Sequence, residues 1–236
     1  MQYKVNKEVF ATYPGFMRAV IIAEGINNRE HNPQLANELK KREEHVRQTL
    51  GDDFKEHPRL ASWAGTFRAM GLNPNKYPPS VLNLVKRVRS GKDLPYVNSL
   101  VAAFNCISLK HLCPCGGDDL GVVGGDLLLT FAEGDENYVP LGQPEVLEHP
   151  PVGEIIYMDT SDKDVFCRAW CWKNGDRSKL TENTARAAVN IDIMPPLGRA
   201  DAEEIAAELA DLLRQYCGAD CAVHYLTPDT PCFAVS

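Results

Sequence analysis

The feature that most constrains this chain is a change of period at Pro114. Upstream, apolar residues recur at helical spacing, whereas downstream they gather in short β-favouring runs broken by Gly, Pro, Asp and Asn. Residues 16–22 form a short, mostly apolar run closed by Gly25 and predict a buried strand. With Pro33 at a first-turn position, Leu35, Leu39, Val46 and Leu50 then set out an amphipathic helix that Gly51 ends, its Lys/Glu-rich face left to solvent. A second helix is expected over residues 59–70, with Leu60, Trp63, Ala64 and Phe67 on one side and Gly71 as its stop. Residues 73–79 hold three prolines and cannot be helical. Ser80 is expected to cap a third helix carrying Val81, Leu84, Val85 and Val88, and Gly91 stops it. Pro95 precedes a fourth, in which Val97, Leu100, Val101 and Phe104 fall at i, i+3, i+4 and i+7.

Beyond Pro114, strands are expected over residues 126–131, 153–159, 164–172 and 187–193. A last helix has Asp201 as cap, Glu204 as its N3 carboxylate and a stripe of Ile205, Leu209, Leu212, Leu213 and Tyr216; Gly218 and a strand over 221–226 follow. Helices first and strands second predict an α+β fold, with N-terminal helices packed on a mixed or antiparallel sheet, over an alternating parallel one. One domain over residues 1–236 is the simplest organisation, and the first 55 residues are left open as an appendage.

With 236 residues, 44% hydrophobic and 24% charged, the chain is globular in composition, and no apolar run approaches the roughly 18 residues of a membrane span. Its first residues lack an apolar signal core, so a cytoplasmic protein with reduced thiols at its eight cysteines is expected. A net charge of −7 argues against a uniformly basic coat for nucleic acid, yet the average hides an asymmetry. Between residues 33 and 95, Lys and Arg outnumber Asp and Glu by 12 to 7; between 116 and 164, one Lys stands against 12 acidic residues. These segments are either two differently solvated faces or one face suited to a polyanion, with Arg68, Lys76, Lys86, Arg87, Arg89 and Lys92 as candidate contacts.

Few residues announce chemistry. Cys113 and Cys115, Cys167 and Cys171, and Cys217 and Cys221 lack the spacing of zinc knuckles, and no metal or cofactor is expected. No nucleophile elbow, P-loop, HExxH or EF-hand pattern is present. Cys115 with His111 is one conceivable nucleophile pair; a buried structural thiol is the commoner use of such a cysteine. Trp170 and Trp172, two apart on an expected strand, share a face with Lys173 just beyond: either a stacking surface with a cation at its rim or core filling.

The motifs between Trp63 and Ile193 resemble a known family. Leu72-Asn73-Pro74, Pro78-Pro79-Ser80, Leu94-Pro95, Val97-Asn98, Leu100-Val101, Phe104-Asn105, Leu112-Cys113-Pro114, Gly116-Gly117-Asp118-Asp119-Leu120 and Gly125-Asp126 come first. Gly153-Glu154, Ile156-Tyr157, Asp159, Trp170-Cys171-Trp172-Lys173, Leu180-Thr181 and Thr184 follow in order. Together they resemble the B3/B4 domain of the bacterial phenylalanyl-tRNA synthetase beta subunit in its freestanding form, with residues 60–195 as the matching core. In the synthetase this domain hydrolyses wrongly charged tyrosyl-tRNA. The resemblance implies an aminoacyl-tRNA hydrolase editing in trans, with misacylated tRNA as partner, no DNA, no membrane and no phenylalanine ligation.

It also implies a site. Asn105 stands nine residues before Pro114, as the family's pocket Asn does, and the candidate catalytic set is Asn105, Gly116 and Gly117. The family's His two residues after that Pro is replaced by Gly116, and the Glu that reads a tyrosine hydroxyl has no clear match. Trp170, Trp172, Lys173 and Asn174 form the expected substrate wall, where the freestanding pattern has Trp-Asn-Trp-Arg. An aminoacyl ester is already activated, so its hydrolysis needs a positioned water and a stabilised oxyanion, with no strong nucleophile. Backbone N–H groups of Gly116 and Gly117 are the expected oxyanion donors and the Asn105 amide the orienting group. A non-catalytic module that binds tRNA or an amino acid through the same fold is the alternative, favoured by loss of the His.

Overall fold

The structure, a computed structural model, describes residues 1–29 and 31–235. Four of its α-helices begin where the cap side chain satisfies a free N–H group. Asn6 Oδ1 accepts from Glu8 N at the start of α1 (Lys7–Thr12), and Asn32 Oδ1 from Gln34 N and Leu35 N at the start of α2 (Pro33–Thr49). α3 (Pro58–Ala69) follows with Leu60, Trp63 and Phe67 buried, and α4 (Ser80–Arg89) with Val81, Val85 and Val88 buried. The cap of α4 is Pro79, not Ser80, whose N–H donates instead to the Cys171 carbonyl at 2.9 Å. α5 (Ser99–His111) starts later than its apolar spacing predicts, because the Asn98 carboxamide accepts from Val101 N at 3.0 Å and fixes the first turn there. Val97 therefore lies outside the helix and is 61% exposed. In α6 (Arg199–Cys217), Gly198 is the cap and Asp201 the N3 carboxylate, its Oδ2 accepting from Gly198 N at 2.8 Å, three residues ahead of the expected arrangement.

The strands form two sheets where one was expected. The first holds β1 (Gln2–Val5), β4 (Leu127–Phe131), β5 (Ile155–Asp159), β6 (Asp164–Arg168), β7 (Lys173–Asn174) and β10 (Cys232–Ala234), in the order β10-β1-β4-β5-β6-β7. It is mixed, β1 and β4 being its parallel pair. The second is antiparallel, with β3 (Cys115–Asp119), β8 (Arg186–Ile193), β2 (Met17–Glu24) and β9 (Asp220–Leu226) in the order β3-β8-β2-β9. Because strand side chains alternate, Arg18 and His224 face the first sheet, where Arg18 Nη1 donates to Tyr3 Oη at 3.1 Å and His224 stacks on Phe233 at 3.9 Å. The opposite face carries Tyr225, under Arg199 of α6 at 4.0 Å, and packs on α5 and α6.

Helices on a four-stranded sheet on a six-stranded sheet make an α+β fold. Of the helices expected to pack on a single sheet, α5 meets β3 of the four-stranded one. α5 is buried on nearly every side, with α2 outside it. The first 55 residues are woven in: β1 lies between β10 and β4, and β2 between β8 and β9. Among the described residues, no helix is long and apolar enough to cross a membrane.

The strand expected over 164–172 ends at Arg168. Ala169 and Trp170 take left-handed backbone angles, φ +45° and +66°, and turn the chain. Trp170 is held there by its surroundings, meeting Trp63, Phe16 and Tyr13 edge-on with centroids 5.4, 4.7 and 5.0 Å away, while its backbone N–H donates to the Ile155 carbonyl at 2.7 Å. Trp170 and Trp172 thus do not share a strand face, nor do Cys167 and Cys171.

Candidate functional site

β3 lies at an edge of its sheet, so half of its backbone groups lack a neighbouring strand. Asp192 N donates to the Pro114 carbonyl at 3.0 Å, and the register pairs Gly116 with Asn190 and Asp118 with Ala188. The antiparallel alternation then turns the N–H groups of Gly116 and Asp118 toward β8, and those of Cys115 and Gly117 toward the open edge. Asp119 N confirms the phase by donating outward to the Ser178 carbonyl at 3.0 Å.

Against that edge lies a cavity of about 590 Å³ bounded by α4, α5, β3 and the segment around residues 172–180. Asn105, Cys115, Gly117, Trp172, Lys173 and Asn174 all line it. Asn105 is the seventh residue of α5, so its side chain caps no helix end, and among the described residues its amide has no hydrogen-bond partner. The fold brings Asn105 and Gly117 to one cavity and separates Gly116, whose N–H belongs to the β8 ladder. A side chain at Gly116 would meet nothing within 4 Å, whereas a Cβ at Gly117 would stand 3.2 Å from Val189 Cγ2 and 3.3 Å from the Ala188 carbonyl.

The turn after β6 builds the outer wall. Cys171 is tied to the start of α4 through its carbonyl, and Trp172 follows, edge-on to Tyr77 at 4.8 Å with Lys173 5.9 Å above its ring. Leu84, Val97, Val101, Phe104 and Leu141 make the rest of the outer cavity apolar. Trp170 sits behind this wall in the core, as part of a smaller cavity of about 50 Å³ that shares Ser80, Cys115, Gly117, Asp118 and Asn174 with the larger one.

The inner end is polar, through residues to which sequence reasoning gave no role. Asp118 is buried, its Oδ1 accepting from Ser178 Oγ at 2.6 Å. Burial pushes its carboxyl up to about 7, against the opposing pull of Ser178 and Arg18. Arg18 is fully enclosed and pairs with Asp192 through Nε at 2.6 Å and Nη2 at 3.0 Å. Arg18 did carry a signal, as the one charged residue in an apolar run; Asp118 lay within a quoted motif, and Ser178 carried none.

The nucleophile pair fails on geometry. His111 Nε2 lies 2.7 Å from Glu208 Oε2, at the far end of α5, and burial raises the Cys115 thiol well above its ordinary range. Cys113 is likewise pushed up to about 12 by burial. Among the described residues, the close group of potential metal ligands is Glu133, Asp135 and Glu136, with Lys163 bound to two of them, and no cysteine takes part.

The basic residues divide. Arg68 and Lys86 meet with Lys55 at a shallow cleft between α3 and α4, and Lys76 and Lys92 are exposed. Arg89 is bound to the Leu50 carbonyl and to Asp52 over the Phe54 ring, and Arg87 Nε donates to the Asp93 carbonyl at 2.9 Å. Both hold loops at the ends of α2 and α4, a use that net charge along the sequence does not distinguish from a free surface.

The pattern of the B3/4 domain family matches residues 62–218, more than half of the chain. A crystal structure of an N-terminal fragment of the phenylalanyl-tRNA synthetase beta-subunit from Pyrococcus horikoshii is similar at 12% identity, with a TM-score of 0.48. The similarity covers 93% of this chain and 49% of that one, so the chain spans about half the length of the fragment. No curated protein matches it.

Proposed function

The chain belongs to the B3/4 domain family, and from that premise we propose that it hydrolyses the ester of misacylated tRNA in the cavity beside Asn105. The observation that carries this reading is the open edge of β3, which turns the N–H groups of Cys115 and Gly117 toward a cavity that Asn105 also lines. Water attacks the ester carbonyl carbon, the carbonyl electrons move onto oxygen, and the Gly117 N–H stabilises the charge that develops there; the Cys115 N–H, about 6.7 Å away along the same strand edge, does not reach that oxygen. Collapse breaks the bond to the ribose oxygen, which leaves with a proton, and frees the amino acid. Of the expected donor pair Gly116 and Gly117, only Gly117 turns its N–H toward the cavity. Asn105 orients the water or the carbonyl, and the apolar outer wall with Trp172 keeps bulk water from the ester.

The test is single-turnover deacylation of a panel of misacylated tRNAs. Asn105→Ala lowers the rate by about 10- to 100-fold, the cost of one transition-state hydrogen bond, with melting temperature and affinity for uncharged tRNA unchanged. An active Asn105→Ala protein removes Asn105 from the reaction. The second reading, a module that binds without chemistry, is favoured by Gly116, where open space stands in place of an acid–base side chain; binding without deacylation of any panel member supports it.

For the RNA we propose the cleft of Arg68 and Lys86, with Lys76 and Lys92 beside it, while Arg87 and Arg89 act through the loops they hold. Arg68→Glu with Lys86→Glu weakens tRNA binding and flattens its dependence on salt by about one unit of slope per lost phosphate contact. Binding whose salt slope is unmoved places the RNA elsewhere.

A further inference from the structure

Asp118 has one carboxylate oxygen engaged and one open. Ser178 Oγ donates to Oδ1 at 2.6 Å, and among the described residues no donor reaches Oδ2, although the residue lines both cavities. The fixed cation beside it is spent: Arg18 gives Nε and Nη2 to Asp192 and Nη1 to Tyr3. The other titratable groups that act on Asp118 or feel its charge are Asp119 on β3, Tyr3 on β1, Tyr157 on β5 and Cys167 on β6, and none is a cation. Of the two lysines at the cavity, Lys179 pairs with Asp176 at 2.9 Å and Lys173 lies over the Trp172 and Tyr138 rings.

A desolvated carboxylate whose neighbouring cation is already paired elsewhere is expensive, and a cationic ligand removes the cost. The residue before Asp118 is Gly117, whose N–H faces the cavity as a donor for a carbonyl oxygen. A cation acceptor thus follows a carbonyl donor in the chain, and an α-aminoacyl group carries the matching pair, an ammonium and a carbonyl on one Cα. We propose that Asp118 receives the free α-ammonium of the acyl group, so that the site takes unblocked α-aminoacyl esters and rejects N-acylated or peptidyl ones. This rests on the reading of the cavity as the seat of an aminoacyl ester.

The experiment pairs misacylated tRNAs with their N-acetylated counterparts, and L-amino acid amides with their N-acetyl derivatives. With the unaltered protein, N-acetylation lowers deacylation by at least tenfold and abolishes amide binding followed by NMR. Asp118→Asn lowers kcat/KM for the free aminoacyl-tRNA by 10- to 100-fold, leaves affinity for uncharged tRNA unchanged, and erases the preference for the free amine. Equal hydrolysis of free and acetylated esters overturns the inference while the deacylase reading stands. No hydrolysis, but amide binding that Asp118→Asn abolishes, overturns the deacylase reading and leaves the ammonium site. Neither hydrolysis nor amide binding overturns both. The acetylation comparison needs no variant, so a misfolded Asp118→Asn protein leaves the inference open to refutation.

Discussion

A carboxyl buried beside a cation that is already paired elsewhere has a thermodynamic signature of its own. The Asp118 carboxyl is raised from 3.8 to about 7 by burial, so between those values the folded protein holds a proton that the unfolded chain has released. Stability due to this residue therefore falls as pH climbs from 3.8 to about 7 and stays low above that. Asp118→Asn raises the melting temperature at pH 8, by an equivalent of at most ~4 kcal/mol, and the gain disappears near pH 3.5, where both side chains are neutral. Thermal melts of the two proteins at both pH values check this; a gain of equal size at both would mean that Asp118 is not desolvated in the fold.

At the scale of elements, β3 answers to its neighbours more than to its own sequence. Gly117→Val presses a branched side chain against Val189 and the Ala188 carbonyl, at 3.2 and 3.3 Å from the new Cβ, and lowers stability by about 1–3 kcal/mol. Gly116→Ala points into open space and changes stability by less than ~1 kcal/mol, and denaturant titration of the two separates them. This element was not legible in the sequence, because Cys115-Gly116-Gly117-Asp118-Asp119 has little strand preference and is held by the β8 ladder. The helices were legible, since the stripes of α2, α3, α4 and α6 carry their own period; the start of α5 was misplaced because Val97 continues that period by coincidence. At the site, Asn105 and Gly117 were legible through the motifs. The turn at Trp170 was not, since φ +66° is intrinsically unfavourable for Trp and is imposed by the three aromatic rings around it.

Across the whole molecule, Arg18 is the polar tie between the two sheets, bonded to Asp192 within its own and to Tyr3 in the other. Arg18→Ala leaves Asp192 charged, buried and alone, and costs about 3–5 kcal/mol; Arg18→Met with Asp192→Leu costs less, because no charge is stranded. Calorimetry of the single and double variants checks the order, and equal losses would mean that the pair contributes packing alone. The weave of β1 and β2 has a further consequence for how the chain comes into being. Tyr3 pairs with Leu127 and Phe233, and Arg18 with Asp192 and Leu226, so neither sheet is complete until residues 220–234 have been made. β1 and β2 each keep one open edge until β10 and β9 arrive, and closing it is a late, slow step, the behaviour expected of contacts distant in sequence. On the ribosome, both sheets therefore become fully resistant to protease only after residues 220–234 have emerged, whereas the β8 ladder that turns β3 toward the cavity and is laid against β2 needs nothing beyond residue 193.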